Sequence, residues 1–471
     1  MGRKKNFDRA LAGTILMLAW PTIIEQALQT VVMYVDSAMV GRISAEASAA
    51  VGITATVGWL LNAIFFAAGV GCLACISRAV GAGDERTAKV ASVQSVILTL
   101  ILGVSVGLVA MAVSGPLPGW LGAEPDIQKD ASAYFFIAFL PMLFRAAVII
   151  FGSVLRATGD MRTPMLVNAG MNGINIVLNY LFIYETRPVS LFGFSFTAWG
   201  AGLGVAGAAI ATAISFVIGG VVMTLALWRS QRGVSPAGER IRIDRPIMAT
   251  CVRIGLPNAM ERATVNLGQI VFTMLVARLG TIAVAAHTIA LTAEEAFFVP
   301  ALGFQAAATT LSGQTLGEGN ERKLDDLIHL AVKITVAIST VTGLLLFIFP
   351  NVMMALFTID PQVIAQGTSV LRIVSVSEPF LGATFVLEGV FNGVGDTKAP
   401  FVIATLTTWG IRILFTHICV NFLGMGLNAV WVCMVADVIV KCIVMFWRYR
   451  SGGYKRGLVF ERPLCREEAR A

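Results

Sequence analysis

The sequence predicts an all-α integral membrane protein with twelve transmembrane helices, arranged as two pseudo-symmetric lobes of six helices each. Three observations lead to this class. Only 13% of the 471 residues are charged, about half the share of a soluble domain, so lipid must replace water around most of the surface. Apolar stretches of bilayer-spanning length recur along the chain, and the second half repeats features of the first.

Short polar segments separate the apolar stretches and place the predicted spans. The spans begin near Leu11, Glu46, Lys89, Ile127, Arg162 and Gly200 in the first half, and near Ile247, Ala283, Leu324, Val363, Lys398 and Met425 in the second. Because twelve is an even number, both termini are expected on the same side of the membrane.

The Lys and Arg residues of the polar segments are divided unevenly between the two sides. The set of segments that includes both termini carries 25 of them, and the alternate set carries only Arg42, Arg187 and Arg278. Cytoplasmic loops are enriched in Lys and Arg. We therefore expect a bacterial inner (plasma) membrane protein with both termini in the cytoplasm. The net charge of +7 then reflects topology and does not indicate a nucleic-acid partner.

The longest polar stretch lies mid-chain and contains proline, glycine and several charges. It predicts a cytoplasmic linker at residues 229–246 between two lobes. The N-terminal lobe then covers residues 1–228, the C-terminal lobe covers residues 247–450, and a cytoplasmic tail covers residues 451–471.

The two halves repeat at a constant offset of 236 residues. The aligned features are Pro21 with Pro257, Glu25 with Glu261, GAGDER at 81–86 with GEGNER at 317–322, and GDMRTP at 159–164 with GDTKAP at 395–400. Because six spans separate the copies, the two lobes keep the same orientation. They should be related by a pseudo-two-fold axis along the membrane normal, with a substrate path between them near the midplane.

Pro21 and Pro257 lie inside spans 1 and 7 and predict kinks, because proline removes a helix hydrogen bond. The bend is interpreted either as static or as one that changes between two states of the protein. The repeated Gly-Asp segments predict structural hinges. In each of them Gly ends one helix, and Asp160 or Asp396 caps the next.

Acidic residues within spans are the strongest indication of function. A charge at the bilayer centre costs several kcal/mol of free energy, so such a residue usually faces a cavity. Asp36 lies in the outer half of span 1. Glu25 and Glu261 lie one helical turn after the two prolines, and Glu378 lies in span 10. These three glutamates, with Met33, are the candidates for a substrate cavity.

Some charges in the spans have candidate partners of opposite sign. Asp437 and Lys441 are spaced i,i+4 and predict an ion pair. Glu261 is next to Arg262 in the sequence. Further charges in the spans are Arg145, Arg372, Arg412, Glu294, Glu295 and Glu388. Some of the acids are therefore expected to form internal ion pairs.

Span 5 carries four asparagines at spacings of four, three and four residues, namely Asn168, Asn172, Asn175 and Asn179. These spacings put them on one helix face. Two interpretations stay open. The stripe either forms hydrogen bonds between helices, or supplies oxygen ligands for a small cation and hydrogen bonds to a carboxylic acid.

The chain resembles the multidrug and toxic compound extrusion (MATE) family of transporters over nearly its whole length. The resemblance rests on the two six-helix lobes, Pro21 followed by Asp36, GAGDER and GEGNER, the two Gly-Asp loops, NIVLNYLFIY at 175–184, and GAAIAT ending at Thr212. It implies a Na⁺ or H⁺ gradient that drives the expulsion of cationic, often aromatic compounds.

The resemblance also implies a proton or cation site in the N-terminal lobe. The implied residues are Asp36, Asn175, Asn179 and Thr212, which would hold a Na⁺ ion, with Gln29 and Tyr134 close by. One position departs from a common pattern of the family, because Asn179 stands where other members have Asp. In the C-terminal lobe Val265 and Leu381 stand near positions where some members have acids.

The sequence therefore predicts a secondary active transporter, and not an enzyme, that expels cationic or amphipathic drugs or metabolites by antiport with H⁺ or Na⁺. The hypothesis is that Asp36 binds the ion from outside, and that its neutralisation changes the packing and bend of span 1. We expect no cofactor apart from the coupling ion. The expected partners are a small cationic substrate and the lipid bilayer, and the protein is expected to be a monomer.

Other functions remain as alternatives. A lipid-linked saccharide flippase of the same superfamily would line its cavity with cationic residues for pyrophosphate, and the arginines within spans are compatible with it. A membrane-embedded enzyme has less support, because the sequence contains no P-loop, zinc motif or Ser/His/Asp arrangement. A channel would not need a lobe repeat with kinked helices.

Overall fold

The computed structural model describes residues 2–191 and 194–456, which are almost entirely helical. The elements of the first half are α1 (Gly2–Gly41), α2 (Ala45–Gly81), α3 (Glu85–Val113), α4 (Leu117–Trp120), α5 (Pro125–Phe139), α6 (Met142–Ala157), α7 (Arg162–Ile183), β1 (Glu185–Leu191), β2 (Phe194–Ala201) and α8 (Gly204–Trp228).

The second half repeats this series of helices without the two strands. Its elements are α9 (Arg245–Ala277), α10 (Thr281–Gly317), α11 (Glu321–Ile348), α12 (Pro350–Ala355), α13 (Pro361–Ser375), α14 (Glu378–Val394), α15 (Lys398–Thr407), a π-helical segment (Thr408–Ile413), α16 (Leu414–Asn421), α17 (Leu427–Arg450) and α18 (Gly453–Arg456). The predicted tail is described only to residue 456, so Arg462, Arg466 and Arg470 lie outside the described residues.

The helices reproduce the twelve predicted spans. In the described part of the chain, nine spans are single stretches long and apolar enough to cross a membrane, and two more are bent pairs, α5 with α6 and α13 with α14. Helix α9 is also long, at 33 residues, but is less apolar than these spans. The two bends are 50° and 54° and fall at Leu140–Pro141 and Val376–Ser377, again 236 residues apart.

The repeat is also visible in the backbone of the loops. Among the glycines with positive φ angles are Gly83 (70°), Gly319 (68°), Gly159 (81°) and Gly395 (87°). They form two pairs at the same 236-residue offset. Glycine reaches this left-handed region without the steric penalty of a Cβ. Each half therefore ends the corresponding helices in the same way.

The hinge segments have the predicted glycine caps, and both aspartates accept a backbone hydrogen bond from the following helix. Asp160 caps α7, because the Thr163 backbone N–H donates to its Oδ1 at 3.1 Å. Asp396 accepts from the Ala399 backbone N–H, and also from Arg448 Nη2 at 2.7 Å and from Nε at 2.9 Å. Burial raises the pKa of Asp396 above its ordinary value, although the Arg448 guanidinium opposes the shift.

Pro21 and Pro257 lie inside α1 and α9, as predicted, and both helices continue through them without a break. Pro300 lies inside α10 in the same way. The large bends occur elsewhere, at the α5–α6 and α13–α14 junctions. Whether Pro21 and Pro257 bend between states stays a prediction.

One β-hairpin, which was not predicted, interrupts the otherwise helical fold. Strands β1 and β2 pair antiparallel, with Glu185 opposite Ala201 and Leu191 opposite Phe194. The stretch from Glu185 to Ala201 is rich in β-branched and aromatic residues, which favour strands. Span 6, predicted to begin near Gly200, therefore begins after the hairpin with α8.

The chain divides into two compact units. The N-terminal unit consists of residues 24–72 and 89–248, and the C-terminal unit of residues 1–23, 73–88 and 249–471. The boundary near 248 lies close to the predicted end of the linker. Residues 1–23 and 73–88, however, were predicted in the N-terminal lobe and belong to the C-terminal unit.

Packing explains why these two segments join the C-terminal unit. Ile15 and Ala19 of α1 are buried in one apolar core with Phe304 of α10. Gly81 of α2 approaches α10 so closely that a Cβ atom would lie 1.9 Å from the Gln314 carbonyl oxygen. Apolar burial and small residues therefore hold both segments against α10.

Small residues also let α14 approach α10. A Cβ at Gly393 would lie 2.1 Å from the Thr309 carbonyl oxygen, and one at Gly389 would lie 2.4 Å from the Gln305 carbonyl oxygen. Backbone atoms cannot move aside as a flexible side chain can. The glycines are therefore required by the distance between these helices.

We predict that Gly393→Ala lowers the free energy of unfolding by about 1–3 kcal/mol, the usual effect of overpacking. Thermal unfolding of the purified protein in detergent would measure it. Gly170→Ala is the matched control, because nothing lies within 4 Å of its added Cβ and alanine favours a helix by up to about 1 kcal/mol. Equal effects of the two substitutions would contradict the prediction.

Candidate functional site

A cavity of about 340 Å³ lies within the N-terminal unit, between α1, α2, α5, α7 and α8. All the residues predicted to form the coupling site line it, namely Gln29, Asp36, Tyr134, Asn175, Asn179 and Thr212. Met33, a predicted substrate-cavity residue, lines it as well. The fold therefore brings together residues that are far apart in the sequence. Their role in coupling stays a prediction.

The carboxylate of Asp36 is held by an amide of α7. Asn179 Nδ2 donates to Asp36 Oδ1 at 2.7 Å and to Asn175 Oδ1 at 3.2 Å. Asn175 Nδ2 lies 3.4 Å from Thr212 Oγ1. The two asparagines can act together because residues four apart on a helix share a face. The result is a continuous polar chain from α1 across α7 to α8.

The Asn175 side-chain amide lies beside the Asp36 carboxylate, 3.2 Å from each of its oxygens. The Oδ1 atom of Asn179 is buried and has no hydrogen-bond partner among the described residues. The amides can thus present either donors to a bare carboxylate or oxygens to a cation beside it.

Asp36 makes no ion pair with any residue that the structure describes, and it is only partly exposed. A carboxyl group withdrawn from water needs a proton or a cation as partner. In residues 2–191 and 194–456, no three His, Cys, Asp or Glu side chains are grouped to hold a metal ion. A Na⁺ ion here would rest on one carboxylate with amide and hydroxyl oxygens.

The remaining cavity wall is mainly apolar and aromatic. It includes Val32, Val40, Val51, Trp59, Met171 and Phe216, and none of its lining residues is Lys or Arg. Aromatic faces attract cations, and methionine adapts to ligands of different shape. The wall is therefore suited to an amphipathic molecule with a positive charge near Asp36.

Glu25 is not among the residues that line this cavity, and its part in a substrate site stays a prediction. Its Oε1 forms an ion pair with Arg156 Nη2 at 2.7 Å and accepts from Asn168 Nδ2, also at 2.7 Å. The side chain is 5% exposed. Asn168, the first member of the asparagine stripe, thus hydrogen-bonds to Glu25. The other three members, Asn172, Asn175 and Asn179, line the cavity.

Glu261 belongs to a buried cluster of charges in the C-terminal unit. It lies within electrostatic range of Glu388, Arg262 and Lys441, and Gln305 hydrogen-bonds to Glu388. The mixture of signs fits the predicted internal ion pairs. The structure places Glu261 among charged side chains, and Glu261 does not line the cavity of Asp36.

Glu378 begins α14, at the 54° bend after α13, and is 1% exposed. The carboxyl group of Glu294 on α10 lies within electrostatic range of it. Two buried carboxyl groups in range of each other cannot both be ionised without a large repulsion. Neither Glu261 nor Glu378 therefore joins the polar chain of Asp36.

The MatE family model matches this chain twice, over residues 21–181 and 257–418. The two matches cover more than half of the chain and begin 236 residues apart, at Pro21 and Pro257. The chain belongs to the MatE family. The resemblance to MATE transporters is thereby confirmed, and so is the internal repeat.

Individual relatives align over almost the full length. The chain is 27% identical over 458 residues to a Thermotoga maritima protein named probable multidrug resistance protein NorM, with 96% of this chain and 95% of that protein covered. A structure described as an outward-facing multidrug resistance MATE family transporter superposes with a TM-score of 0.86 at 26% identity, covering 95% of this chain and 97% of that one.

A third comparison is to a MOP superfamily transporter from Pyrococcus furiosus, which is described as having a binding pocket of reverse polarity. The TM-score is 0.85 at 27% identity, with coverage of 94% of this chain and 97% of that one. Together these matches make the present MatE-family protein a multi-pass membrane transporter. The twelve-helix, two-lobe architecture fits the MATE fold.

The sequence did not identify every residue of the MatE-family cavity. Ser37, Trp59 and Phe216 line it but were not predicted. Trp59 carried a usable signal, because it lies mid-span and not at the interface where tryptophan is common. Ser37 and Phe216 carried none, because such residues occur throughout the spans.

Proposed function

We propose that this protein expels cationic, amphipathic compounds from the cell by antiport with H⁺ or Na⁺. The observation that carries the proposal is Asp36, a partly buried carboxyl group with an amide partner but no cationic partner among the described residues. It lies in an apolar, aromatic cavity. A proton, a Na⁺ ion and an organic cation are all able to neutralise it, so they compete.

Competition between the ion and the substrate for one carboxylate couples their movements in opposite directions. A ligand shifts an equilibrium between two states only through different affinities for them. An ion that reaches Asp36 from outside displaces the cationic substrate, and the neutral site then returns to the inside-facing state.

We infer the orientation from the loop charges and the location from the bacterial relatives. The 25-to-3 division of Lys and Arg supports cytoplasmic termini in a bacterial inner membrane. The substrate class follows the relatives named as multidrug resistance proteins. We propose that the transporter works as a monomer in the bilayer, with the coupling ion as its only cofactor.

A lipid-linked saccharide flippase is the second candidate among carriers. It would require cationic side chains for a pyrophosphate group. The cavity around Asp36 has one carboxyl group and no Lys or Arg in its lining, which favours a cationic substrate. No arrangement of residues supports proposing an enzyme.

Efflux from proteoliposomes under separately imposed gradients tests the proposal. Ethidium is loaded into vesicles that hold the purified protein, and either a H⁺ or a Na⁺ gradient is imposed. One of the two gradients is expected to accelerate ethidium movement, and a protonophore should abolish the H⁺-driven effect only. Movement that ignores both gradients would refute antiport.

A further inference from the structure

A second, smaller cavity of about 160 Å³ adjoins the first within the N-terminal unit. Its distinctive lining residues are Asn62, Phe139 and Arg145. It shares Tyr134 and Thr212 with the cavity of Asp36. The two cavities therefore meet at these side chains but differ in charge, since one contains a carboxyl group and the other a guanidinium.

The side chain of Arg145 is a buried cation, and no carboxylate among the described residues pairs with it. Its side chain is 7% exposed, its Nε has no hydrogen-bond acceptor, and it forms no ion pair with any residue in the described ranges. Its guanidinium carbon lies 4.0 Å from the Phe216 ring centroid and 4.9 Å from that of Phe139. Aromatic stacking offsets only part of the loss of hydration.

Two partly buried arginines of the spans, by contrast, have carboxylate partners. Arg156 lies 2.7 Å from Glu25, and Arg412 lies 2.8 Å from Asp437. Arg145 instead has a hydroxyl group, that of Tyr134, as its electrostatic neighbour. The fold thus keeps one guanidinium uncompensated, and that guanidinium faces a cavity.

We propose that this cavity binds a monovalent anionic group of the carboxylate type. Arg145 would bind it through two parallel N–H donors of its guanidinium, whose spacing matches the two oxygens of a carboxylate. The Asn62 amide lines the same cavity, and its NH₂ group is the kind of donor that hydrogen-bonds a carboxylate. Trp59 and Phe139 line the same space, so an aryl carboxylate suits the walls.

The neighbouring cavities point to a zwitterion as the transported substrate. Its carboxylate occupies the Arg145 cavity and its cationic end lies near Asp36, on either side of Tyr134 and Thr212. This assignment of the substrate class rests on the proposed efflux function. The anion site itself does not, because it depends only on Arg145 and its surroundings.

Binding of sodium benzoate to the purified full-length protein tests the site. The titration is done by calorimetry at constant Na⁺, with chloride as the replacing anion. Saturable binding is expected in the wild type. Arg145→Gln is expected to weaken it by at least about tenfold, and Arg145→Lys by less, because lysine keeps the charge but loses the fork.

Arg278→Gln is the control for removal of a cation, because Arg278 bonds to Asn421 at 2.8 Å and lines neither cavity. Its benzoate affinity should equal that of the wild type. If Arg145→Gln does not fold, Arg145→Lys and Asn62→Ala are measured in its place. Both should bind benzoate more weakly than the wild type. No benzoate binding to the wild type, or unchanged binding in the folded Arg145 variants, would overturn the proposal.

Transport of two matched dyes shows whether the bound carboxylate is part of the transported substrate or a separate anion. One is a zwitterionic rhodamine with a free carboxyl group, and the other is its methyl ester, a cation. In proteoliposomes Arg145→Gln should slow efflux of the zwitterion about tenfold more than that of the ester. Equal slowing of both dyes would assign the site to a free anion and overturn the zwitterion assignment.

Failure of the proposed antiport would look different. Suppose that benzoate binding depends on Arg145 but dye movement ignores both gradients. The anion site is then supported and antiport is refuted. Gradient-driven efflux without benzoate binding would refute the anion site and support antiport. The two proposals are therefore refuted by different results.

Discussion

Asp36→Asn is expected to abolish gradient-driven efflux, lowering the rate by at least about tenfold. Asparagine keeps the size and the hydrogen bonding of the residue but neither binds a proton nor carries a negative charge. Without an ion that binds the two states differently, a gradient has no means of shifting their populations. The rate is measured in proteoliposomes with ethidium under the gradient that drives the wild type.

Two variants make this result specific to Asp36. Asp126→Asn removes the same charge from an exposed position at the start of α5 and should leave efflux unchanged. Asp36→Glu keeps a titrating group and should retain a measurable part of the driven rate. A wild-type rate in Asp36→Asn would show that this carboxyl group does not couple transport to the gradient.

Asp437→Asn is expected to lower the free energy of unfolding by about 3–5 kcal/mol, the usual effect of removing one member of a buried ion pair. Asp437 is fully buried. Its Oδ2 lies 2.8 Å from Arg412 Nη2, and its Oδ1 lies 3.8 Å from Lys441 Nζ. The substitution leaves two largely buried cations facing each other. Thermal unfolding in detergent measures the loss.

The pair of Lys323 and Glu318 provides the matched control for Asp437. These two side chains are also 2.7 Å apart, but both are about one-third exposed. Glu318→Gln should therefore change the free energy of unfolding by less than about 1 kcal/mol. Adding Lys441→Met to Asp437→Asn should recover part of the loss, because one unpaired cation is removed. Equal losses at Asp437 and Glu318 would contradict the prediction.

The periodic features of this protein were predictable from the sequence. The spans and the 236-residue repeat depend on the order of apolar and polar residues, and glycine and proline mark the same breaks in both halves. The asparagine stripe followed from helix geometry alone. The pairing of Asp437 with Lys441 was predicted for the same reason, since both lie on one helix.

Partners on different helices were not predictable in this way. Glu25 and Glu261 occupy equivalent positions of the repeat, yet Glu25 pairs with Arg156 while Glu261 lies beside Glu388. Arg412 reaches Asp437 from the π-helical segment, whose extra residue per turn shifts the facing side chains. Such contacts depend on helix rotation and packing distance, which a periodic pattern does not specify.

The sequence by itself determined the membrane class, the two-fold repeat, the family resemblance and the importance of Asp36, because these depend on composition and spacing along one chain. Only the tertiary structure decided that Asp36 shares a cavity with the α7 amides, that Glu25 is withdrawn into an ion pair, and that Arg145 is buried without an anion. The physical reason is that a buried charge is defined by its neighbours from other helices, and those neighbours are chosen by packing.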